Sequence, residues 1–247
     1  MQKLQVKFLG AGDAFHAGGR HHASYLVETG ETAFLLDCGA TALASLKRAG
    51  ISAGGIDTIF LSHLHGDHFA GLPFLFLEYI FAEPRSRPLR IAGPPGTEER
   101  VAALYRAMYA DLARQPLPFR LEFIEMLPQR RFELGALTVK PFRVPHQEKE
   151  ISLGLGISAD RRSILYSGDT GWTEDLVYQS EKTDLFICEC SFFETRVPFH
   201  LDYPRIWENH ERFGAKRLIL THTGREVLMH ADEIELETAD DGLTVEI

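Results

Sequence analysis

The residues with the clearest chemical potential form one short cluster. His63, His65, Asp67 and His68 place four potential metal ligands within six residues, directly after an apolar, β-branched run. Imidazole nitrogens and carboxylate oxygens are the ligands that zinc and other divalent metals accept in proteins. Gly66 lets the backbone turn sharply between the two pairs of side chains. The spacing therefore predicts a metal site in a loop that follows a strand.

Three further candidate ligands, His146, Asp169 and His222, each follow a run of strand-forming residues. Loops at the strand ends of an α/β sheet are where such folds assemble their sites. Taken singly, each residue also has a structural interpretation, as a turn former or a cap. Taken with the first cluster, all three are interpreted as ligands, because one loop cannot complete a site that holds two metals.

The elements that must position these side chains occur in a similar order in both halves of the chain. Each half has a group of strands, a helix, and a strand that ends in histidine or aspartate. Helices are predicted over Thr41–Ala49, Glu98–Ala113 and Asp202–Phe213, with Thr41 and Asp202 as caps. This order predicts two α/β halves packed sheet against sheet, in four layers. No Pro/Gly/Ser-rich linker separates them, so we expect a single domain over residues 1–247.

The composition narrows the class of protein. The 247 residues are 45% hydrophobic and 25% charged, which is ordinary for a soluble globular protein. No stretch approaches the roughly 20 apolar residues that span a bilayer, so no membrane partner is expected. Three cysteines cannot all pair within the chain, which favours a cytoplasmic protein. The net charge of −9 does not favour a protein that coats nucleic acid, although a nuclease with a local basic patch stays open.

These motifs resemble those of metallo-β-lactamase-fold hydrolases, and the resemblance covers essentially the whole chain. It implies an α/β fold of the αββα four-layer sandwich type. It also implies two divalent metal ions, zinc first, with manganese or iron as alternatives. Many β-lactamases have cysteine where this chain has Asp169, so antibiotic hydrolysis is not expected. The implied ligands are His63, His65 and His146 for one ion and Asp67, His68 and His222 for the other, with Asp169 bridging.

Two regions are similar to the branch that contains ribonuclease Z and cyclic phosphodiesterases. The runs 8–15, 36–39 and 62–73 carry the likeness in the N-terminal half. In the C-terminal half, His200 stands where this branch has a histidine that protonates the leaving alcohol, and Glu189 where ribonuclease Z has a glutamate that orients it. Asp67 is expected to orient the attacking water or accept its proton. A general acid suits phosphodiester cleavage, because an alkoxide is a poor leaving group.

The resemblance favours a phosphodiesterase that attacks a small or cyclic phosphodiester with a metal-bound hydroxide. One alternative is a ribonuclease Z-like endoribonuclease that processes tRNA 3′ ends. The other is a lactone or thioester hydrolase of the same fold. Residues 147–168 read as a hairpin where tRNA-processing relatives carry a long Gly/Pro-rich arm, which argues against tRNA, although RNA stays open as a partner. The resemblance also predicts a homodimer.

Overall fold

Strands and short helices alternate along the described chain, which comprises residues 4–159 and 161–247 of the computed structural model. The strands are β1 (Gln5–Gly10), β2 (Ser24–Glu28), β3 (Ala33–Leu36), β4 (Ile56–Phe60), β5 (Leu89–Gly93), β6 (Leu121–Glu125), β7 (Phe132–Leu134), β8 (Leu137–Val144), β9 (Ser152–Ala159), β10 (Arg162–Tyr166), β11 (Leu185–Glu189), β12 (Leu218–Thr221) and β13 (Thr244–Glu246). The α-helices are α1 (Ala42–Arg48), α2 (Gly66–Phe69), α3 (Leu72–Leu77), α4 (Thr97–Met108), α5 (Glu174–Ser180), α6 (Tyr203–Asn209) and α7 (Arg225–Met229).

The strands form two mixed sheets. The first has the order β13-β1-β2-β3-β4-β5-β6 and the second the order β12-β11-β10-β9-β8-β7. Neighbours from β3 to β6 are parallel, as are β10, β11 and β12. Because parallel strands end at the same edge of a sheet, the loops that follow them lie together.

Three hydrophobic clusters separate the layers. The central cluster joins side chains of both sheets, such as Phe8 and Phe60 from the first and Leu155 and Ile187 from the second. A second cluster packs the first sheet against α1, α3 and α4, and a third packs the second sheet against α5, α6 and α7. The layers therefore run helix, sheet, sheet, helix, which confirms the predicted four-layer αββα sandwich.

Two of the predicted helix details are wrong and one is confirmed. The helix predicted over Glu98–Ala113 ends at Met108, since Tyr109 has an extended φ of −139°. Thr41 does not cap α1, because its hydroxyl accepts a hydrogen bond from the His22 N–H instead. Asp202 does cap α6, by accepting the Arg205 N–H at 3.0 Å.

The segment between the His146 and Asp169 positions contains the predicted hairpin. β9 and β10 pair antiparallel, with Tyr166 opposite Leu155. Among the described residues, no helix has the length and apolar character needed to cross a membrane.

Candidate metal centre

The predicted ligands come together where strands of both sheets end. His63 and His65 follow β4 of the first sheet. In the second sheet, His146 follows β8, Asp169 follows β10 and His222 follows β12. A hydrogen bond of 2.9 Å from the Leu153 N–H to the Ser62 carbonyl joins the two sheets at this edge. Gly168 has a φ of +58°, and a Cβ there would lie 2.7 Å from the Leu153 carbonyl oxygen. Glycine is therefore required next to Asp169.

Three imidazoles form the first ligand group, His63, His65 and His146. One ring nitrogen of each lies within 4.8 Å of the others, and His65 Nδ1 is 3.0 Å from His146 Nε2. On the outer side, His146 Nδ1 donates to the Phe199 carbonyl at 2.9 Å, which leaves the Nε2 lone pair for a ligand. Burial lowers the pKa of all three histidines, so the rings are neutral, as metal ligation requires.

Asp67, His68, Asp169 and His222 form the second group, again with ligand atoms within 4.8 Å of one another. His222 Nε2 is 3.3 Å from Asp67 Oδ2 and 3.4 Å from Asp169 Oδ2, and His68 Nε2 is 3.2 Å from Asp169 Oδ1. Asp169 also faces the first group, with its Oδ2 3.8 Å from His63 Nε2. Its carboxylate therefore lies between the two groups.

The chemistry of these side chains suits a divalent ion. Among the described residues, the buried atoms His63 Nε2 and Asp169 Oδ1 have no hydrogen-bond partner. Such atoms are costly unless another ligand satisfies them. Burial would raise the pKa of Asp67 and Asp169, but the facing histidines hold both below the usual range of a carboxyl. The groups thus present anionic oxygens and imidazole nitrogens to a common centre, a set that zinc accepts.

Asp37 lies behind the second group and was not among the predicted site residues. Its Oδ2 accepts the Tyr166 hydroxyl at 2.6 Å and the Ser62 hydroxyl at 2.7 Å, and His68 Nδ1 donates to it at 2.7 Å. Its Oδ1 accepts the Ser62 N–H at 2.7 Å. Asp37 is fully buried and has a φ of +56°. It orients His68 so that Nε2 faces the ligand group; its place directly after β3 was the available sequence signal.

His200 and Glu189, which the sequence analysis paired, are in direct contact beside both ligand groups. Glu189 Oε1 lies 3.0 Å from His200 Nδ1 and also accepts the Thr170 N–H at 2.5 Å. Burial would lower the pKa of His200, but the charge of Glu189 and the hydrogen bond to it raise this pKa to about 9. The ring is therefore protonated at neutral pH and can donate a proton.

Ser191, which was not among the predicted site residues, joins this pair to the second ligand group. Its hydroxyl donates to Glu189 Oε2 at 2.6 Å and accepts from His222 Nδ1 at 3.0 Å. With Nδ1 protonated, His222 presents the lone pair of Nε2 to the ligand group. One carboxylate, Glu189, thus supports His200 directly and His222 through Ser191.

A cavity of about 870 Å³ opens over the ligands and His200. Phe15, Phe192 and Met229 contribute apolar lining, and the side chains of Phe15 and Met229 are 87% and 70% exposed. Arg225 is the one arginine or lysine among the described lining residues, and Glu226 lies beside it. The opening therefore lacks the extended basic surface that a nucleic-acid backbone needs.

Known proteins with the same architecture support this description. A ribonuclease Z of Mycobacterium sp. (strain KMS) is 29% identical over 238 residues, covering 89% of this chain and 84% of that protein. The short form of human tRNase Z has 25% identity and a TM-score of 0.79 over 98% of both chains. The metallo-β-lactamase-fold protein YhfI of Bacillus subtilis has 21% identity and a TM-score of 0.79 over both complete chains. A diphosphatase from the PhnP family has 18% identity and the same TM-score over 99% and 98% of the two chains.

The fold and these relatives confirm the predicted class, a metal-dependent hydrolase of the metallo-β-lactamase superfamily in the branch of ribonuclease Z and phosphodiesterases. Within that class, the sequence model of the family described as Anti-Pycsar protein Apyc1 matches residues 4–238. The chain belongs to this family.

Proposed function

We propose that the chain is a binuclear phosphodiesterase that hydrolyses a small or cyclic phosphodiester. The observation that carries the proposal is the His200–Glu189 contact of 3.0 Å, in the same cavity as the two ligand groups. Hydrolysis of a carbonyl ester at such a site has less need of a separate proton donor, because its leaving group departs more easily. A phosphodiester with an alkoxide leaving group needs one.

In this proposal, His63, His65 and His146 hold one divalent ion, and Asp67, His68 and His222 hold the other, with Asp169 shared. Zinc is the first candidate, with manganese or iron as alternatives. When bound, the ions supply an activated water and neutralise charge on the phosphoryl oxygens.

The side chains of the protein account for the proton movements. Asp67, a member of the second group, orients the attacking water and accepts the proton that this water loses. As the new P–O bond forms, the bond to the leaving oxygen breaks, and His200 Nε2 gives that oxygen its proton. Glu189 holds His200 Nδ1, so the ring stays oriented while Nε2 reacts. The products are a phosphomonoester and an alcohol, and both groups are on one molecule when the substrate is cyclic.

The cavity supports a small substrate in preference to tRNA. The β9–β10 hairpin is short. Among the described residues that line the cavity, Arg225 is the one lysine or arginine. A polyanion would therefore find few contacts for its backbone. We further propose that the chain works as one domain over residues 1–247 and as a homodimer in the cytoplasm.

The direct test is turnover of the metal-loaded protein on four classes of substrate. These are bis(p-nitrophenyl) phosphate, cyclic nucleotides with 2′,3′ and 3′,5′ linkages, a precursor tRNA, and a lactone. We expect turnover of the first two classes and no cleavage of tRNA or lactone. Efficient cleavage of precursor tRNA would instead establish an endoribonuclease, and lactone turnover alone would remove the role given to His200.

A further inference from the structure

His200 is carried by an irregular loop, residues 192–200, that leaves β11 and returns at the start of α6. Two backbone hydrogen bonds join the ends of this loop, from the Phe192 N–H to the Leu201 carbonyl at 3.3 Å and from the Tyr203 N–H to the Phe192 carbonyl at 2.9 Å. Among the residues that the structure describes, the loop makes no helical or sheet hydrogen bonds beyond these two. Its conformation must therefore depend on contacts with other elements.

Glu226 accepts four hydrogen bonds from this loop. Its Oε2 accepts three successive backbone N–H groups of the loop, from Phe193 at 3.2 Å and from Glu194 and Thr195 at 3.1 Å each. Its Oε1 accepts the Thr195 hydroxyl at 2.5 Å. The Thr195 hydroxyl and these N–H groups lower the pKa of Glu226 to about 2, so the carboxylate is charged at neutral pH. Hydrogen bonds to a charged acceptor are about twice as strong as neutral ones.

Glu226 also links the loop to the metal centre, since it lies in the first turn of α7, four residues after His222. The other end of the loop rests on the first ligand group, where His146 Nδ1 meets the Phe199 carbonyl at 2.9 Å. Gly171 packs there as well, because a Cβ at this residue would lie 2.0 Å from the Pro198 carbonyl oxygen. The loop is therefore held on one side by Glu226 and on the other by the elements around His146.

We propose that Glu226 is a positioning residue that sets the place of the His200 ring through the loop, and this proposal rests on the proposed function of His200 as proton donor. Glu226 itself has no part in the chemistry, because its two oxygens are occupied by the loop. Loss of its charge leaves the ligand groups complete and the His200–Glu189 bond possible, but it weakens the hydrogen bonds that hold one side of the segment that aims His200 at the leaving oxygen.

The test compares two phosphodiesters that are identical except for the leaving alcohol. A p-nitrophenolate departs without protonation, whereas an alkoxide needs the proton of His200. Glu226→Gln should lower kcat for the alkyl leaving group about tenfold, a fraction of the 10²- to 10⁴-fold that general acids supply. Turnover of the p-nitrophenyl leaving group should stay within about twofold, and the metal content should equal that of the wild type. Glu208→Gln, on the exposed face of α6, makes the same change of charge and should leave both rates unchanged.

A double-mutant cycle with His200→Ala separates the positioning role of Glu226 from the proposed role of His200 as proton donor. If Glu226 acts through His200, Glu226→Gln should have no further effect on the alkyl substrate in the His200→Ala background. An equal effect in both backgrounds would mean that Glu226 acts on the substrate itself and would overturn the positioning role. If His200→Ala does not discriminate between the leaving groups, the proposed function fails first.

A milder variant covers the case in which Glu226→Gln does not fold. Thr195→Val removes the hydroxyl bond to Oε1 and keeps the charge of Glu226. It should lower the alkyl rate in the same direction by a smaller factor and leave the p-nitrophenyl rate unchanged. An unchanged ratio of the two rates in a folded Thr195→Val protein would contradict the proposal.

Discussion

Asp37→Asn should weaken binding of the second metal ion about 100-fold while preserving the fold. Asparagine has almost the same shape as aspartate and tolerates the left-handed backbone at this position, where φ is +56°. The substitution therefore changes hydrogen bonding and charge without adding backbone strain. Alanine at the same position would remove the hydrogen bonds and also strain the left-handed backbone, so the two causes of any loss could not be separated.

The expected effect follows from the hydrogen bonds around the carboxylate. The amide oxygen can replace Oδ1 and still accept the Ser62 N–H. The amide nitrogen then replaces Oδ2 and faces three donors, Tyr166, Ser62 and His68. The two hydroxyls can rotate, but His68 Nδ1 can pair with an N–H only after losing its proton. The proton then moves to Nε2, which is the ligand atom.

The magnitude has two parts. Loss of an oriented partner behind a ligating histidine costs about 10- to 100-fold in metal affinity, and we expect the upper end because the ligand nitrogen itself is blocked. Replacing a buried charged acceptor lowers the free energy of unfolding of the metal-free protein by about 3 kcal/mol. The first group should lose less affinity, since Asp37 reaches His63 only through the Ser62 hydroxyl.

Metal affinity is measured by competition with a chromophoric chelator, and stability by urea unfolding in excess chelator. Asp184→Asn is the matched control, because this buried carboxylate accepts the Ser163 N–H at 2.9 Å and pairs with Lys216 at 2.7 Å. It precedes β11, at the strand end opposite the ligands, so it should lower stability and leave metal binding unchanged. An Asp37→Asn protein that binds two ions with wild-type affinity would refute the role given to Asp37.

Two further outcomes follow from the same geometry. Ser191→Ala should weaken the second ion about tenfold by removing the acceptor of His222 Nδ1, measured by the same chelator competition, whereas wild-type affinity would leave Ser191 without a role. Chelation of both ions should lower the Tm by about 20 °C, since each ion bound at about 1,000 times its Kd adds about 4 kcal/mol. An unchanged Tm in calorimetry would contradict a metal centre formed by the folded state.

The sequence was sufficient to predict which side chains come together in the candidate metal centre, because their signal is local. Four of them lie within six residues, and His146, Asp169 and His222 each follow a strand. Strand ends of both sheets meet at one edge, so residue type and position after a strand together predicted which side chains converge. The pairing of His200 with Glu189, across 11 residues, depended on the family resemblance and is in contact in the structure.

The supporting side chains could not be predicted in the same way, because their partners are distant in sequence. Asp37 meets Tyr166 across 129 positions, and Glu226 meets Thr195 across 31. An aspartate after a strand or a glutamate in a short helix is ordinary on its own. Helix ends could not be predicted closely either, because the alanine and arginine residues after Met108 favour a helix that the non-helical backbone at Tyr109 interrupts.

The proposal of a binuclear phosphodiesterase is best tested by counting metal on one purified sample and assaying the same sample on a phosphodiester. We expect two divalent ions per chain, with turnover that is lost when chelation removes them and returns when they are restored. A protein that holds one ion or none at full phosphodiesterase activity would contradict it.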